Sequence, residues 1–170
     1  HPRLRGFIGI DPGKSGGLAI IYQDIYLPEQ ITCQPLGVLT DKEVLEWLRE
    51  STVPCTSQGV PTPWGIKAVI EQVQGYIGEK QPGNSAFKFG VSYGKLIMAL
   101  VAAKIPYAFC TPAKWQRALG VSARWKNESK SQYKRRLKER AQALYPHIDV
   151  TLATCDALLI AAYCQQQEKT

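Results

Sequence analysis

Three carboxylates stand where the apolar patterning around them gives no reason for a charge. Asp11 closes the run GFIGID, Glu71 closes KAVIE, and Asp156 enters the apolar stretch CDALLIAAY. Ligand sites in mixed α/β sheets gather at strand ends, so two adjacent strand ends and a helix N-terminus can converge there. Carboxylates packed at close range repel one another and need a divalent cation to remain ionised. An all-oxygen ligand set suits Mg²⁺ or Mn²⁺. Two such ions, about 3.5–4 Å apart, are a known device for phosphodiester cleavage: one activates the attacking water and the other stabilises the leaving oxygen. Taken singly, each residue has a plainer reading. Asp11 is a turn residue before Pro12-Gly13, Glu71 a surface strand end, and Asp156 a partner for the helix dipole. Taken together they point to metal-assisted phosphoryl chemistry.

A second feature bears on what the phosphate belongs to. The chain carries a net charge of +7, and between Arg124 and Arg140 eight Lys or Arg stand against two Glu. Such a block is a solvated helix face or a phosphate-binding surface, and the two are compatible. Arg124, Lys126, Lys130, Lys134 and Arg135 are the expected phosphate contacts. Trp125 and Tyr133 are expected to pack this helix on the core rather than stack on bases. The five cysteines are an odd number at irregular spacings with no CxxC pair, and only His1 and His147 could join them. That argues against zinc and for a reduced, intracellular protein. No pattern calls for a small-molecule cofactor.

The elements that must position these residues follow from periodicity. The 170 residues fit one domain over 1–170. A strand over 6–12 and another over 18–22, joined by Gly16-Gly17, form a hairpin. A third strand lies within 30–39, and Thr40 caps a helix over 41–49. Residues 51–65, rich in Pro, Ser, Thr and Gly, read as a surface loop. A strand over 67–71 leads through a glycine-rich loop to a long helix over 84–103. A strand over 106–110, a short helix from Pro112, a basic helix over 128–144 and a last helix over 154–166 complete the chain. This order implies an α/β fold: a mixed sheet with helices on both faces. No apolar run is read as long enough to span a bilayer, and the greasiest stretch, 96–103, fits a buried helix. No secretory signal precedes the first strand.

In this order the motifs resemble those of the RuvC-type Holliday-junction resolvases. The resemblance rests on GIDPG at Gly9–Gly13 with Gly16-Gly17, IEQV at Ile70–Val73, and DALLIA at Asp156–Ala161. It extends to NSAFKFGVSYG at Asn84–Gly94 and to Lys130-Ser131-Gln132, and it covers most of the chain. Ala157–Tyr163 looks closer to the plastid and cyanobacterial-type resolvases than to the best-known bacterial ones. The resemblance implies an RNase H-like fold with a five-stranded mixed sheet. It implies a homodimer that binds a four-way DNA junction and nicks two strands of like polarity, in a bacterial nucleoid or a plastid stroma. Asp11, Glu71 and Asp156 would be the metal ligands, for two ions with DNA bound, and the helix from Asn84, with Gly90, Ser92 and Gly94, would form much of the dimer interface. The sequence departs from the family in two places. Ala153 stands about where the family carries a fourth ligand, and Gln74 stands where bacterial members place an aromatic wedge, the nearest aromatic being Tyr76. Gln74 and Tyr76 are therefore expected at the junction centre. Other readings stay open: an actin-like ATPase, whose hairpin would use Lys14 and Ser15; a junction-binding module with a weakened site; or a nuclease for another branched DNA.

Overall fold

A computed structural model describes residues 4–56, 65–73 and 83–168. Its sheet is built from β1 (Leu4–Asp11), β2 (Gly17–Asp24), β3 (Gln30–Pro35), β4 (Ile66–Glu71) and β5 (Tyr107–Cys110), in the spatial order β3-β2-β1-β4-β5. β1, β2 and β3 pair antiparallel through tight connections, while β1–β4 and β4–β5 pair parallel. The helices are α1 (Asp41–Thr56), α2 (Gly83–Ala102), α3 (Pro112–Ala118), α4 (Lys130–Leu144) and α5 (Cys155–Gln167).

Strand alternation sorts the core into two layers. Ile8, Ile10, Leu18, Ile20, Ala68 and Ile70 face α1 and α2 through Val44, Leu48, Leu96 and Leu100. Phe7, Ala19, Ile21 and Val69 face the other way, onto Trp115, Leu137, Ala141 and the buried residues of α5. The five-stranded mixed sheet with helices on both faces is therefore as the sequence implied. α5 is buried over most of its surface, from Cys155 to Gln165, as expected of a helix that is apolar on every side.

The helix starts follow local chemistry. Thr40 and Glu43 form a reciprocal cap at α1, with the Thr40 N–H donating to Glu43 at 2.7 Å and the Glu43 N–H to Thr40 Oγ1 at 3.3 Å. Ser129 and Gln132 do the same at α4. Three expectations are corrected. α1 does not end at residue 49: it runs to Thr56 with Pro54 inside it. Proline cannot donate the i→i−4 bond and its ring crowds the carbonyl of Glu50, but only two helical residues follow Pro54, so little of the helix lies beyond the interruption. α2, expected to be buried over 96–103, buries only Leu96 and Leu100. Its 20 residues are also apolar and long enough to cross a membrane by length and composition, contrary to the reading of the sequence.

Candidate active site

Register places the first two carboxylates. Gly9 lies opposite Val69 and Ile10 opposite Ile70 on parallel strands. Asp11 and Glu71 are the next residues on each strand, so both project to the face of Phe7 and Val69, which is the face that α5 covers. Asp156 lies in the first turn of α5. The approach of α5 depends on two glycines. A Cβ on Gly9 would overlap the Ala157 carbonyl oxygen and the Ala161 nitrogen, and one on Gly17 would sit 2.6 Å from the Ala153 carbonyl oxygen. Without side chains at these positions the N-terminal half of α5 lies directly on β1 and β2, next to Asp11.

The three carboxylates feel one another. Asp11 is buried, and burial first, then the negative charges of Asp156 and Glu71, raise its pKa to about 7. Glu71 is also raised, by burial and by Asp156, while the hydrogen bond from the Trp115 indole opposes the shift. Trp115 is wholly buried, and its Nε1 donates to Glu71 Oε2 at 2.9 Å. Lys134 reaches in from α4. Its ammonium lies 2.6 Å from Asp156 Oδ2 and 3.8 Å from Asp11 Oδ2. Burial works against the charged form of Lys134, but the two carboxylates outweigh it and raise its pKa. Lys134 was expected at a phosphate; here its head is spent on the acidic cluster.

Among the described residues, no three His, Cys, Asp or Glu side chains are already gathered at metal-ligating spacing. The reason is visible in the partners: Lys134 supplies the cation for Asp156 and Asp11, and Trp115 holds Glu71. The donor chemistry nonetheless fits a hard divalent cation. Three carboxylates lie on one face, and two of them already hold the Lys134 ammonium.

The other expected site residues divide by location. Arg124, Lys126, Lys130 and Arg135 are all exposed, around the start of α4 and along its first turns. Tyr133 packs against the core and donates its hydroxyl to Gln116. Trp125 does not pack on the core: it is 59% exposed. The expectation failed because the residues before Ser129 form a loop outside the helix, so helical periodicity says nothing about Trp125. Gly90, Ser92 and Gly94 lie on exposed positions of α2. Gln74 and Tyr76 lie outside the described residues. Cys110, Cys155 and Cys164 are free and buried, as their apolar contexts implied; burial pushes the Cys155 and Cys164 thiols up to about 12. Trp115 and the inward reach of Lys134 are the site features that sequence reasoning missed. Neither has a local signature, since each depends on a partner brought from a distant segment.

A mixed sheet in this strand order, with its first three strands antiparallel and carboxylates at the ends of β1 and β4, is the RNase H-like fold. The same architecture is found in RuvC of Thermus thermophilus. Its structure in complex with a Holliday junction substrate matches with a TM-score of 0.51 at 16% identity, covering 95% of this chain and 96% of that one. A second Thermus thermophilus RuvC structure matches with a TM-score of 0.49 at 16% identity, covering 96% of each chain. No family model and no curated protein sequence matches the chain.

Proposed function

We propose that this chain is a metal-dependent, structure-selective DNA endonuclease that resolves four-way junctions as a homodimer. The observation that carries the reading is the placement of Asp11, Glu71 and Asp156 on one face of an RNase H-like sheet, beside the basic start of α4. Asp11, Glu71 and Asp156 would hold Mg²⁺ or Mn²⁺, which when bound supplies an activated water and stabilises charge at the scissile phosphate. Trp115 orients the Glu71 carboxylate and keeps water from its buried side. Lys134 neutralises Asp156 before DNA arrives and, once released from it, presents its ammonium to a phosphate oxygen. Arg124, Lys126, Lys130 and Arg135 hold the flanking backbone. Gln74 and Tyr76, three and five residues after Glu71 in the sequence, would meet the junction centre. The test is cleavage of a synthetic four-way junction with Mg²⁺ or Mn²⁺: paired nicks of like polarity are expected, against none on linear duplex. A second reading, a junction-binding module without activity, is favoured by Ala153 and by the ungathered carboxylates; binding without any nick would establish it.

Metal binding should compete with protons. A carboxylate held neutral up to about pH 7 must lose its proton to bind a cation. Affinity for Mn²⁺ should therefore rise about tenfold per pH unit below pH 7 and flatten above it. The stability of the metal-free protein should run the opposite way. A raised carboxyl pKa contributes stability that is complete below the unfolded value and lost as pH rises through the folded one. Thermal unfolding of metal-free protein should thus move to lower temperature between about pH 4 and pH 7, with the loss reversed by Mn²⁺. A pH-independent Mn²⁺ affinity below pH 7 would show that Asp11 is not a ligand.

The dimer reading rests on α2. Phe87 is 72%, Met98 62% and Val101 51% exposed, three apolar side chains on one face of α2. A Cβ at Gly90 or Gly94 would meet nothing within 4 Å, so substitution there spares the fold and even favours the helix. In a symmetric dimer Gly90→Arg brings like charges together across the axis, at a cost of several kcal/mol. Sedimentation should show a dimer for the unmodified chain and a monomer for Gly90→Arg, with unchanged helical signal. A monomer in both cases removes the dimer from the reading.

A further inference from the structure

Trp125 stands between Arg124 and Lys126 in the loop ahead of α4, and the basic block around it does not explain its position. A ring of that size left in water forgoes the burial a core position would give. It is nevertheless held in place. The Arg136 guanidinium carbon lies 4.1 Å from the ring centroid, and the Trp125 backbone N–H donates to Glu128 at 3.1 Å. Arg136 is itself fixed, with Nε and Nη2 donating to the Glu128 carboxylate at 2.6 and 2.9 Å. Its remaining donors go to Ser122 and to the Ala123 carbonyl. Those donors are engaged within the protein, so Arg136 is poorly placed to take a phosphate as well. The network instead presents an indole in one orientation.

Beside the ring is an open cavity of about 430 Å³, whose lining includes Asn127, Gln132, Arg135 and Glu139. Glu128 and Glu139 line it too, so a phosphate would meet carboxylates there. An uncharged nucleobase would not, and Asn127 and Gln132 offer both donors and acceptors to a base edge. Arg124, Lys126 and Arg135, all exposed, suit the phosphates on either side. A cationic groove with an aromatic plate is how proteins hold unpaired nucleotides. Arg136 projects from α4 two residues after Lys134, about 200° around the helix. The plate therefore lies across α4 from the carboxylates, separated from them by about one helix diameter, ~10 Å.

We infer that Trp125, backed by Arg136, is a stacking platform for an unpaired base of a bound single strand, a second DNA contact separate from the carboxylate site. The inference rests on the nuclease reading only for which DNA supplies the strand. The test uses the full chain without metal, binding a short oligothymidylate and, separately, a four-way junction. Trp125→Leu should bind oligothymidylate about 5- to 100-fold more weakly, and Trp125→Phe should keep most of the affinity. Oligothymidylate should also quench an indole signal that Trp125→Phe lacks. Unfolding temperatures of both variants should match the parent, since Trp125 lies outside the core.

Equal oligothymidylate affinity in Trp125→Leu, or a loss in Trp125→Phe as large as in Trp125→Leu, overturns the platform. Junction binding that persists in that case leaves the resolvase reading intact. Conversely, Trp125-dependent binding of oligothymidylate by a chain that ignores four-way junctions upholds the platform and defeats the junction reading. If the parent chain binds neither DNA, both fall.

Discussion

Asp11→Asn and Asp156→Asn are each expected to reduce junction cleavage by more than about a hundredfold while leaving junction binding equal or tighter. Loss of an outer partner of a metal ligand already costs about 10- to 100-fold, and here the ligand itself is changed. The amide keeps the volume of the carboxylate, so packing around Asp11 and α5 is preserved. The binding side follows from charge. Asp156→Asn removes a negative charge from a surface that must face phosphates and frees the Lys134 ammonium now 2.6 Å from its carboxylate, while Asp11→Asn removes the charge that Asp11 carries above about pH 7. Glu71→Gln should lose activity in the same way, although its bond from Trp115 can survive because the amide oxygen still accepts. Single-turnover cleavage and a gel-shift titration on the same junction measure both effects. Parental cleavage rates in any one of the three variants would remove that residue from the site.

Gly9→Ala is expected to destabilise the fold and to disable the site, although Gly9 contributes no functional group. Its added methyl would overlap backbone atoms of α5, with the Ile160 carbonyl carbon at 2.9 Å. Backbone cannot rotate aside as a flexible side chain can, so the helix must move away from β1. Overpacking of this kind costs about 1–3 kcal/mol. The displacement also carries Asp156 away from Asp11, and a misplacement of about 1 Å can cost a hundredfold in rate. Gly83→Ala is the matched control, because its Cβ would meet nothing within 4 Å. Thermal unfolding and cleavage should both fall in Gly9→Ala and neither in Gly83→Ala. An unchanged melting temperature and rate in Gly9→Ala would show that the close seating of α5 is not what positions Asp156 relative to Asp11.

Much of this was legible before any coordinates. GFIGID and KAVIE are short continuous apolar runs, the pattern of strands buried on both faces, so the strands and the carboxylates that end them could be read locally. The pervasive apolar character of CDALLIAAY announced a helix buried on all sides with one acid near its start. Capping chemistry at Thr40 worked for the same reason, since each cap is made by neighbours in sequence. The extent of α1 was less legible, because Pro54 and the Ser and Thr around it read as a loop, yet the helix runs two residues past the proline.

What the tertiary structure alone decided concerns partners from distant segments. Whether the apolar α2 is covered depends on which elements reach it, and here only Leu96 and Leu100 are buried. Lys134 reads as one basic residue among eight, and only the packing of α4 beside α5 turns its ammonium toward Asp156 and Asp11. Trp115 and Trp125 are ten residues apart and identical in type, yet one is sealed against Glu71 and the other stands in water over Arg136. Composition and spacing record the local preference of each residue, whereas a buried charge or an exposed ring is fixed by the sum of its neighbours, which only the folded chain supplies.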